Sequence, residues 1–494
     1  MSRFWDTLRP RRHRGCRRGC CGCLTIAVAA FLCVSVVLLI YSFIPNSYPP
    51  YPASARVALS TTDYPSISSL PWLHSNGRLV LTSSGQQVLL RGMNVTGLLQ
   101  AEDITPGPVP TAQDFSKMQA DGFDVIRVPV SWSLLEPKPG VFSSSYLDLI
   151  KKVVGLAAVH GIYSILDLHN IDWSFYYGGD GAPSWATAGP LPKTFPAPPP
   201  WNRHVAPGVL ASYFIFWSDL GGWQQDVTGA WSYLARAFAG DSAVAAFDLW
   251  NEPHPFPIPP GLFGAKFLLP FEAQLMSHLA RIAPHQMMMT EQSLDFGLPT
   301  YVRRIPYPNQ IFSSHVFATL LEPPWQKPKP EYATPLRLLE AQAVEAGGAP
   351  WVGEIGAGPG ASNSAWVARE MNELDSFRLG WAYWDWNEGG SWAFIRNPAR
   401  LPIVARAYPQ ATPGVLTTLA YDYQTGVLKL SFTGVTAGRA LRIAMPSFFR
   451  SYRVVASSDP GADMSIKVDR RAHVLTVAIR DALDRHSLTI RFLR

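Results

Sequence analysis

Most of this chain lacks cysteine. Its five cysteines, Cys16, Cys20, Cys21, Cys23 and Cys33, all fall within the first 33 residues. Residues 34–494 therefore hold no disulfide, no thiolate nucleophile and no zinc–thiolate site. Net charge is missing as well. Of 42 Lys+Arg, seven arginines (3, 9, 11, 12, 14, 17 and 18) lie in residues 1–44, and of 36 Asp+Glu only Asp6 does, leaving 35 against 35 for residues 45–494. The formal charge of +6 belongs to the N-terminal tail, and the balance elsewhere gives no support to a nucleic-acid groove. No glycine-rich dinucleotide turn follows the first apolar run, and no His-Glu-x-x-His occurs; the expectation is an enzyme or binding protein with no cofactor and no metal. What is present is 494 residues, 47% apolar, with 44 prolines and 38 glycines. That composition excludes a wholly disordered chain, implies long ordered loops, and suits a large domain followed by a smaller one.

One apolar run is long enough for a membrane. Leu24 to Ile44 is 21 residues without a charge, sufficient to cross a hydrocarbon core of ~30 Å. The arginines precede it, which places residues 1–23 in the cytoplasm and the rest outside, as a membrane-anchored protein at the cell surface. Ala53-Ser54-Ala55 leaves a cleaved signal, and so a secreted protein, as the alternative. Residues 45–71 read as a linker.

Eight short apolar runs then alternate with helical pattern or loop: Val88–Val95, Val125–Val130, Tyr163–His169, Val244–Trp250, Met287–Glu291, Ile311–Val316, Trp351–Ile355 and Gly380–Trp386. Near-continuous hydrophobicity suits parallel strands buried on both faces, and eight such units predict an α/β fold, a (β/α)8 barrel over residues 72–405. In Tyr146–His160, Leu149, Ile150, Val153, Val154 and Ala157 recur at helical spacing. From about residue 406 the texture changes to short alternating runs between turns, such as Leu428–Phe432, Leu441–Ala444 and Val474–Ile479. This predicts a C-terminal antiparallel β-sandwich over residues 406–494.

In such a barrel the functional groups belong at the C-terminal strand ends. Those ends carry Arg127, His169 and Asn170, Asn251 and Glu252, His315, Glu354 and Trp384. Two carboxylates facing each other across the mouth can split a glycosidic bond, one protonating the departing oxygen while the other attacks the anomeric carbon. The set resembles family 5 of the glycoside hydrolases. Asn251-Glu252-Pro253 is similar to that family's acid/base motif, and Glu354 in Gly-Glu-Ile-Gly to its nucleophile. The resemblance implies retention of configuration, with Glu252 starting protonated and Glu354 ionised. It further implies that Arg127 keeps Glu354 charged, that Asn251 binds the sugar 2-hydroxyl, that His169 and His315 bind sugar or orient the carboxylates, and that Trp384 floors the ring. One position departs: the family's His-x-Tyr at the sixth strand is here His315-Val316-Phe317. Phe317 cannot donate the tyrosine's hydrogen bond to the nucleophile, and Tyr301 is a candidate substitute.

A finer resemblance is to the endoglycoceramidase branch. It rests on Leu166-Asp167-Leu168-His169-Asn170, on Gly179-Asp180-Gly181-Ala182-Pro183-Ser184-Trp185, and on Arg406-Ala407-Tyr408-Pro409-Gln410-Ala411. Trp185 joins the expected binding residues on that ground. The branch implies a glycosphingolipid cut between its first sugar and ceramide. The loops after strands three and four agree, for they carry Phe195, Trp201, Phe214, Phe256, Phe263 and Phe271 among many prolines. That much apolar surface suits a lipid aglycone or a bilayer, unless those residues pack against one another. Glycolipid or oligosaccharide is thus the expected partner, with no nucleic acid. Another family 5 activity, on β-glucan or a non-ceramide glycolipid, and a tethered non-catalytic glycan- or lipid-binding protein remain the alternatives.

Overall fold

The structure, a computed structural model, describes residues 44–59, 64–101, 106–197, 201–293, 302–317, 333–435, 438–459, 464–479 and 485–494, together with Cys33, Val36, Val37, Ile40 and Tyr41. The chain divides into two compact units, Met1–Asn46 and Ser47–Arg494. The expected membrane segment, residues 24–44, lies largely outside the described residues. Among the described residues no helix is long and apolar enough to cross a membrane.

Each of the eight apolar runs forms a strand: β1 Arg91–Asn94, β2 Val125–Ser131, β3 Tyr163–His169, β4 Val244–Asp248, β5 Met287–Glu291, β6 Gln310–Phe317, β7 Ala349–Gly356 and β8 Gly380–Tyr383. Every strand pairs in parallel with the next, and β8 pairs with β1 to close the barrel. Alternation along each strand sorts two cores. Val125, Tyr163, Ile165, Met287, Met289, Ile311 and Trp351 fill the barrel's interior toward the N-terminal strand ends. Ile126, Val128, Val130, Leu166, Leu168, Phe247 and Val352 point the other way, into the larger core shared with the helices. Burying both faces is what makes these strands read as unbroken apolar runs.

The helices between strands follow their sequence signals. α1 (Ala112–Ala120) starts at a capping box, in which the Thr111 side chain accepts from the Asp114 N–H and Asp114 accepts from the Thr111 N–H. α2 (Ser144–Val159) buries Ile150, Val153, Val154 and Ala157, the stripe its spacing predicts. α3 (Pro207–Trp217) and α4 (Trp223–Phe238) precede β4, α5 (Leu269–Ile282) precedes β5, and α6 (Ala333–Ala346) and α7 (Ala361–Phe377) flank β7.

The C-terminal strands are β9 Pro409–Thr412, β10 Val415–Asp422, β11 Val427–Thr433, β12 Ala440–Ala444, β13 Ser451–Ser457, β14 Met464–Asp469, β15 Val474–Ile479 and β16 Arg485–Leu493. One sheet runs β10–β11–β16–β13. The other runs β9–β12–β15–β14 and is extended beyond β9 by three strands from ahead of the barrel, Gln87–Val88, Leu79–Thr82 and Leu73–Asn76. The run read as one strand, Val88–Val95, is thus two: Val88 pairs with Ala411 of β9, and Arg91–Asn94 belongs to the barrel. Hydrophobicity stays continuous across the join because both ends are buried, in different sheets. A charged knot ties the halves together. Asp375 on α7 accepts from Arg91 Nη1 at 2.6 Å and from Arg406 Nη2 at 2.7 Å, and all three side chains are buried.

The segment read as a linker needs correction over its described residues 47–59 and 64–71. Its aromatic side chains dock on the barrel end opposite the strands' C-termini. Tyr51 lies 5.1 Å from Tyr307, ring to ring, the Ile67 N–H donates to the Gly240 carbonyl at 2.9 Å, and Ser66 bonds Ser242 at 2.7 Å. The Pro- and Tyr-rich composition that suggested a tether instead supplies stiff apolar anchors.

Candidate active site

Above the apolar interior, inward positions of successive strands turn charged. Arg127 stands two residues above Val125 on β2, Asp167 and His169 above Ile165 on β3, Glu291 above Met289 on β5, and His315 four above Ile311 on β6. Arg127 is the hub. Its Nη1 meets Glu354 Oε1 at 2.7 Å, its Nε meets Asp248 Oδ2 at 2.8 Å, and its Nη2 reaches Glu291 Oε1 at 3.0 Å and Asp167 Oδ2 at 3.1 Å. It also donates to Asn251 Oδ1 at 2.9 Å and Asn94 Oδ1 at 3.3 Å. A buried guanidinium among four carboxyl groups keeps its charge, and its pKa is raised well above the usual value despite burial.

Glu354 reaches this ring through an irregularity in β7. Val352 pairs with Ser314 of β6, but Glu354 pairs with His315, so Gly353 is an extra residue. In strict alternation Glu354 would share the outward face of Val352; the bulge turns it into the mouth. Only glycine fits there, because a Cβ on residue 353 would lie 2.6 Å from Ser313 Oγ and 2.7 Å from His315 Nε2. Glu252 arrives by a different device. The chain leaves β4 through Leu249–Asn251, and Glu252 takes a left-handed backbone, φ +42°, at a cost of about 1–3 kcal/mol. Its N–H donates to Glu291 Oε2 at 2.7 Å.

The two glutamates converge on one imidazole. His315 Nδ1 lies 2.8 Å from Glu252 Oε1 and 3.7 Å from Glu354 Oε2, and its Nε2 lies 3.1 Å from Glu291 Oε1. One oxygen of Glu252, one of Glu354 and a ring nitrogen of His315 all lie within 4.8 Å of one another. Among the described residues these three are the group spaced like metal ligands. With a carboxylate at each ring nitrogen, however, His315 is committed to donating two protons rather than a lone pair. Around them, His169 Nδ1 bonds Asp167 Oδ2 at 2.8 Å, and its ring stacks on Trp384 at 5.8 Å and 18°. Asn251 donates to the Asn170 carbonyl at 2.9 Å, and Asn170 Oδ1 accepts from the Tyr213 hydroxyl.

The electrostatics differ from the expectation in one respect. Burial opposes a charged His315, but Glu291 and Glu354 outweigh it and raise the ring well above its ordinary 6.5. Burial would also raise Glu252, yet the hydrogen bond and charge of His315 hold it below the usual range. Burial dominates at Glu354 and raises it, in spite of His315 and Arg127. Glu252 was expected up and Glu354 down; in this arrangement the order is reversed, because the hydrogen bond and charge of His315 favour an ionised Glu252 while burial prevails at Glu354. Glu291 overcomes burial and is pulled down to about 2 by His315 and Arg127.

Of the residues named from sequence, Arg127, His169, Asn170, Asn251, Glu252, His315, Glu354 and Trp384 are joined in this network. Trp185 is not. It packs edge-on against Trp132 at 5.6 Å and donates to the Glu136 carbonyl at 3.3 Å. Phe317 sets its ring edge-on to Trp392 at 6.0 Å, and Tyr301 lies outside the described residues. Glu291, Asp167, Asp248 and Asn94 were not anticipated. The alternation sets each in step with an inward apolar position, but along the chain that register alone does not mark a site.

The apolar loops divide. After β4, Ile258, Phe263, Leu268, Leu269 and Phe271 are buried, and Phe271 packs with Phe216, Trp217 and Trp250. After β3, Phe175, Leu191, Phe195, Phe214 and Leu220 remain exposed.

Comparison with known proteins places the chain. Residues 81–390 match the model of cellulase (glycosyl hydrolase family 5), and residues 406–491 that of the glycoside hydrolase family 5 C-terminal domain. Endoglycoceramidase I of Rhodococcus hoagii is 24% identical over 400 residues, covering 75% of this chain and 79% of that protein. A glucosylceramidase of Rhizopus delemar is 26% identical over 308 residues, 49% of this chain and 44% of that one. Among solved structures, endo-glycoceramidase II from Rhodococcus sp. in a ganglioside GM3 complex superposes with a TM-score of 0.70 at 22% identity, covering 85% of this chain and 100% of the other; at that identity the likeness is one of fold.

Proposed function

The chain belongs to glycosyl hydrolase family 5, and on that footing we propose that it is a retaining β-glycosidase that cleaves the bond between glycan and lipid in glycosphingolipids. Glu354 is the nucleophile and Glu252 the acid/base. The observation that carries the reading is the convergence of the two carboxylates, with oxygens within 4.8 Å. Retaining enzymes hold their pair ~5–5.5 Å apart, whereas inverting ones need ~6.5–9.5 Å to admit a water.

In the first step Glu354, steered by Arg127, attacks the anomeric carbon. The bond to the aglycone oxygen breaks, and Glu252 gives that oxygen its proton. In the second, Glu252 takes a proton from water, whose oxygen displaces Glu354 and releases the glycan. Glu252 is suited to both roles because 24% of its side chain faces the mouth against 6% for Glu354. Trp384, stacked on His169, offers an apolar floor for the sugar, and Asn251 an amide for the 2-hydroxyl. A lipid aglycone is supported by the relatives named for ceramide glycosides and by the exposed Phe175, Leu191, Phe195, Phe214 and Leu220 in the segment that follows β3. Residues 24–44 are read as a membrane anchor that keeps the enzyme at a lipid surface.

Release of lactose from fluorescent lactosylceramide, beside a soluble β-glucan, tests the proposal. Hydrolysis of the lipid with little of the glucan is expected. Hydrolysis of the glucan alone would overturn the lipid assignment. Binding without hydrolysis, unchanged in Glu252→Gln and Glu354→Gln, would mark a non-catalytic binding protein.

A further inference from the structure

We propose that Glu291, at the end of β5, is a positioning residue for the acid step: through His315 it holds the proton that Glu252 delivers, and through the Glu252 backbone it sets where that proton is delivered. The inference rests on the proposed role of Glu252. One buried carboxylate makes three connections that no other described residue combines. Oε1 accepts from His315 Nε2 at 3.1 Å and from Arg127 Nη2 at 3.0 Å, and Oε2 accepts from the Glu252 N–H at 2.7 Å.

The first contact makes His315 a donor at both nitrogens. With Nε2–H spoken for, Nδ1–H points at Glu252 Oε1 across 2.8 Å. Moving that proton breaks Nδ1–H and forms O–H on Glu252. Delivery to the aglycone breaks O–H on Glu252 and forms it on the alcohol. In the second step the proton taken from water returns by the same path, so the cycle closes without a net gain or loss. The third contact pins the left-handed turn at Glu252. The groups facing His315 are Glu252 beyond β4, Glu291 on β5 and Glu354 on β7. Those facing Glu291 are Arg127 on β2, Asp248 on β4, His315 on β6 and Glu272 on α5. Burial pushes Asp248 and Glu272 upward, which leaves Glu291 as the anion that faces Nε2. Its charge is the largest of those raising His315.

The test compares Glu291→Gln with wild type, as full chains, on lactosylceramide and on a dinitrophenyl β-lactoside, whose leaving group departs without a proton. The variant is expected to lose about 100-fold or more in kcat/KM on the lipid, within the range of a lost general acid, and less than about 5-fold on the dinitrophenyl glycoside. Its basic limb should move to lower pH, because His315 gives up its proton sooner. Equal losses on both substrates with unmoved limbs would overturn the proposal and leave Glu291 a merely structural residue. A second measurement holds whether or not the variant folds or wild type turns over either substrate. In 15N-histidine NMR of wild type, the His315 ring, assigned by its disappearance in His315→Asn, should be doubly protonated at pH 7; a neutral ring would overturn the proposal. Inactivity of wild type on both glycosides would instead count against the glycosidase reading.

Discussion

A carboxylate that attacks carbon must be ionised, and burial works against this at Glu354. Its close cations are Arg127, at 2.7 Å, and His315, at 3.7 Å, while the position of the family's tyrosine holds Phe317, turned to Trp392. Burial consequently leaves Glu354 above the ordinary glutamate value of 4.5. Activity needs the ionised form, so it is present above the raised pKa and lost as pH falls through it. The acid limb of kcat/KM on an aryl β-glycoside should therefore lie above pH 4.5; a limb below that value would mean that His315 and Arg127 prevail over burial. At this scale the sequence was partly legible. Glu252, Glu354, Arg127 and Asn251 could be read from strand ends and short motifs because their chemistry is peculiar to a site. Asp167, Asp248 and Glu291 could not, since an acid inside a strand acquires meaning only when closure of the barrel rings it around Arg127. Trp185 was read through its neighbours' motif, and its own packing against Trp132 has no signature along the chain.

At the scale of elements, the bulge at Gly353 decides whether β7 presents its glutamate to the mouth. A methyl group there must displace Ser313 or His315. Gly353→Ala should therefore lower kcat by about tenfold or more, a displacement of reacting groups by a fraction of an ångström being enough. It should also destabilise the fold by about 1–3 kcal/mol through overpacking. Gly155, exposed in α2 with nothing within 4 Å of a Cβ, is the control, and its change to Ala should stabilise by about 0.5–1 kcal/mol with kcat unchanged. Thermal melts and steady-state rates on the two variants check both statements; unaltered kcat in Gly353→Ala would show that β7 needs no bulge. All eight barrel strands were legible because burial on both faces leaves an unbroken apolar run. The bulge was not, since an extra glycine leaves such a run looking the same, and neither was the join at Leu89 and Leu90, where the chain passes between sheets without becoming polar.

For the whole molecule, the barrel brings together two glutamates that lie 102 positions apart in the sequence. The sandwich borrows three strands from ahead of the barrel and is locked to it by Asp375 between Arg91 and Arg406, so the C-terminal sheets brace β1 and α7 rather than trailing from them. The plan of barrel and sandwich was readable from the change in period near residue 406. The shared sheet was not, because strand pairing over more than 300 residues leaves no local trace. The division of labour between the glutamates is tested most directly by incubation with a 2-deoxy-2-fluoro-lactosyl fluoride followed by peptide mass spectrometry. The account predicts one fluorosugar per chain, on the peptide that contains Glu354; a label on Glu252, or turnover of substrate with no label at all, would contradict it.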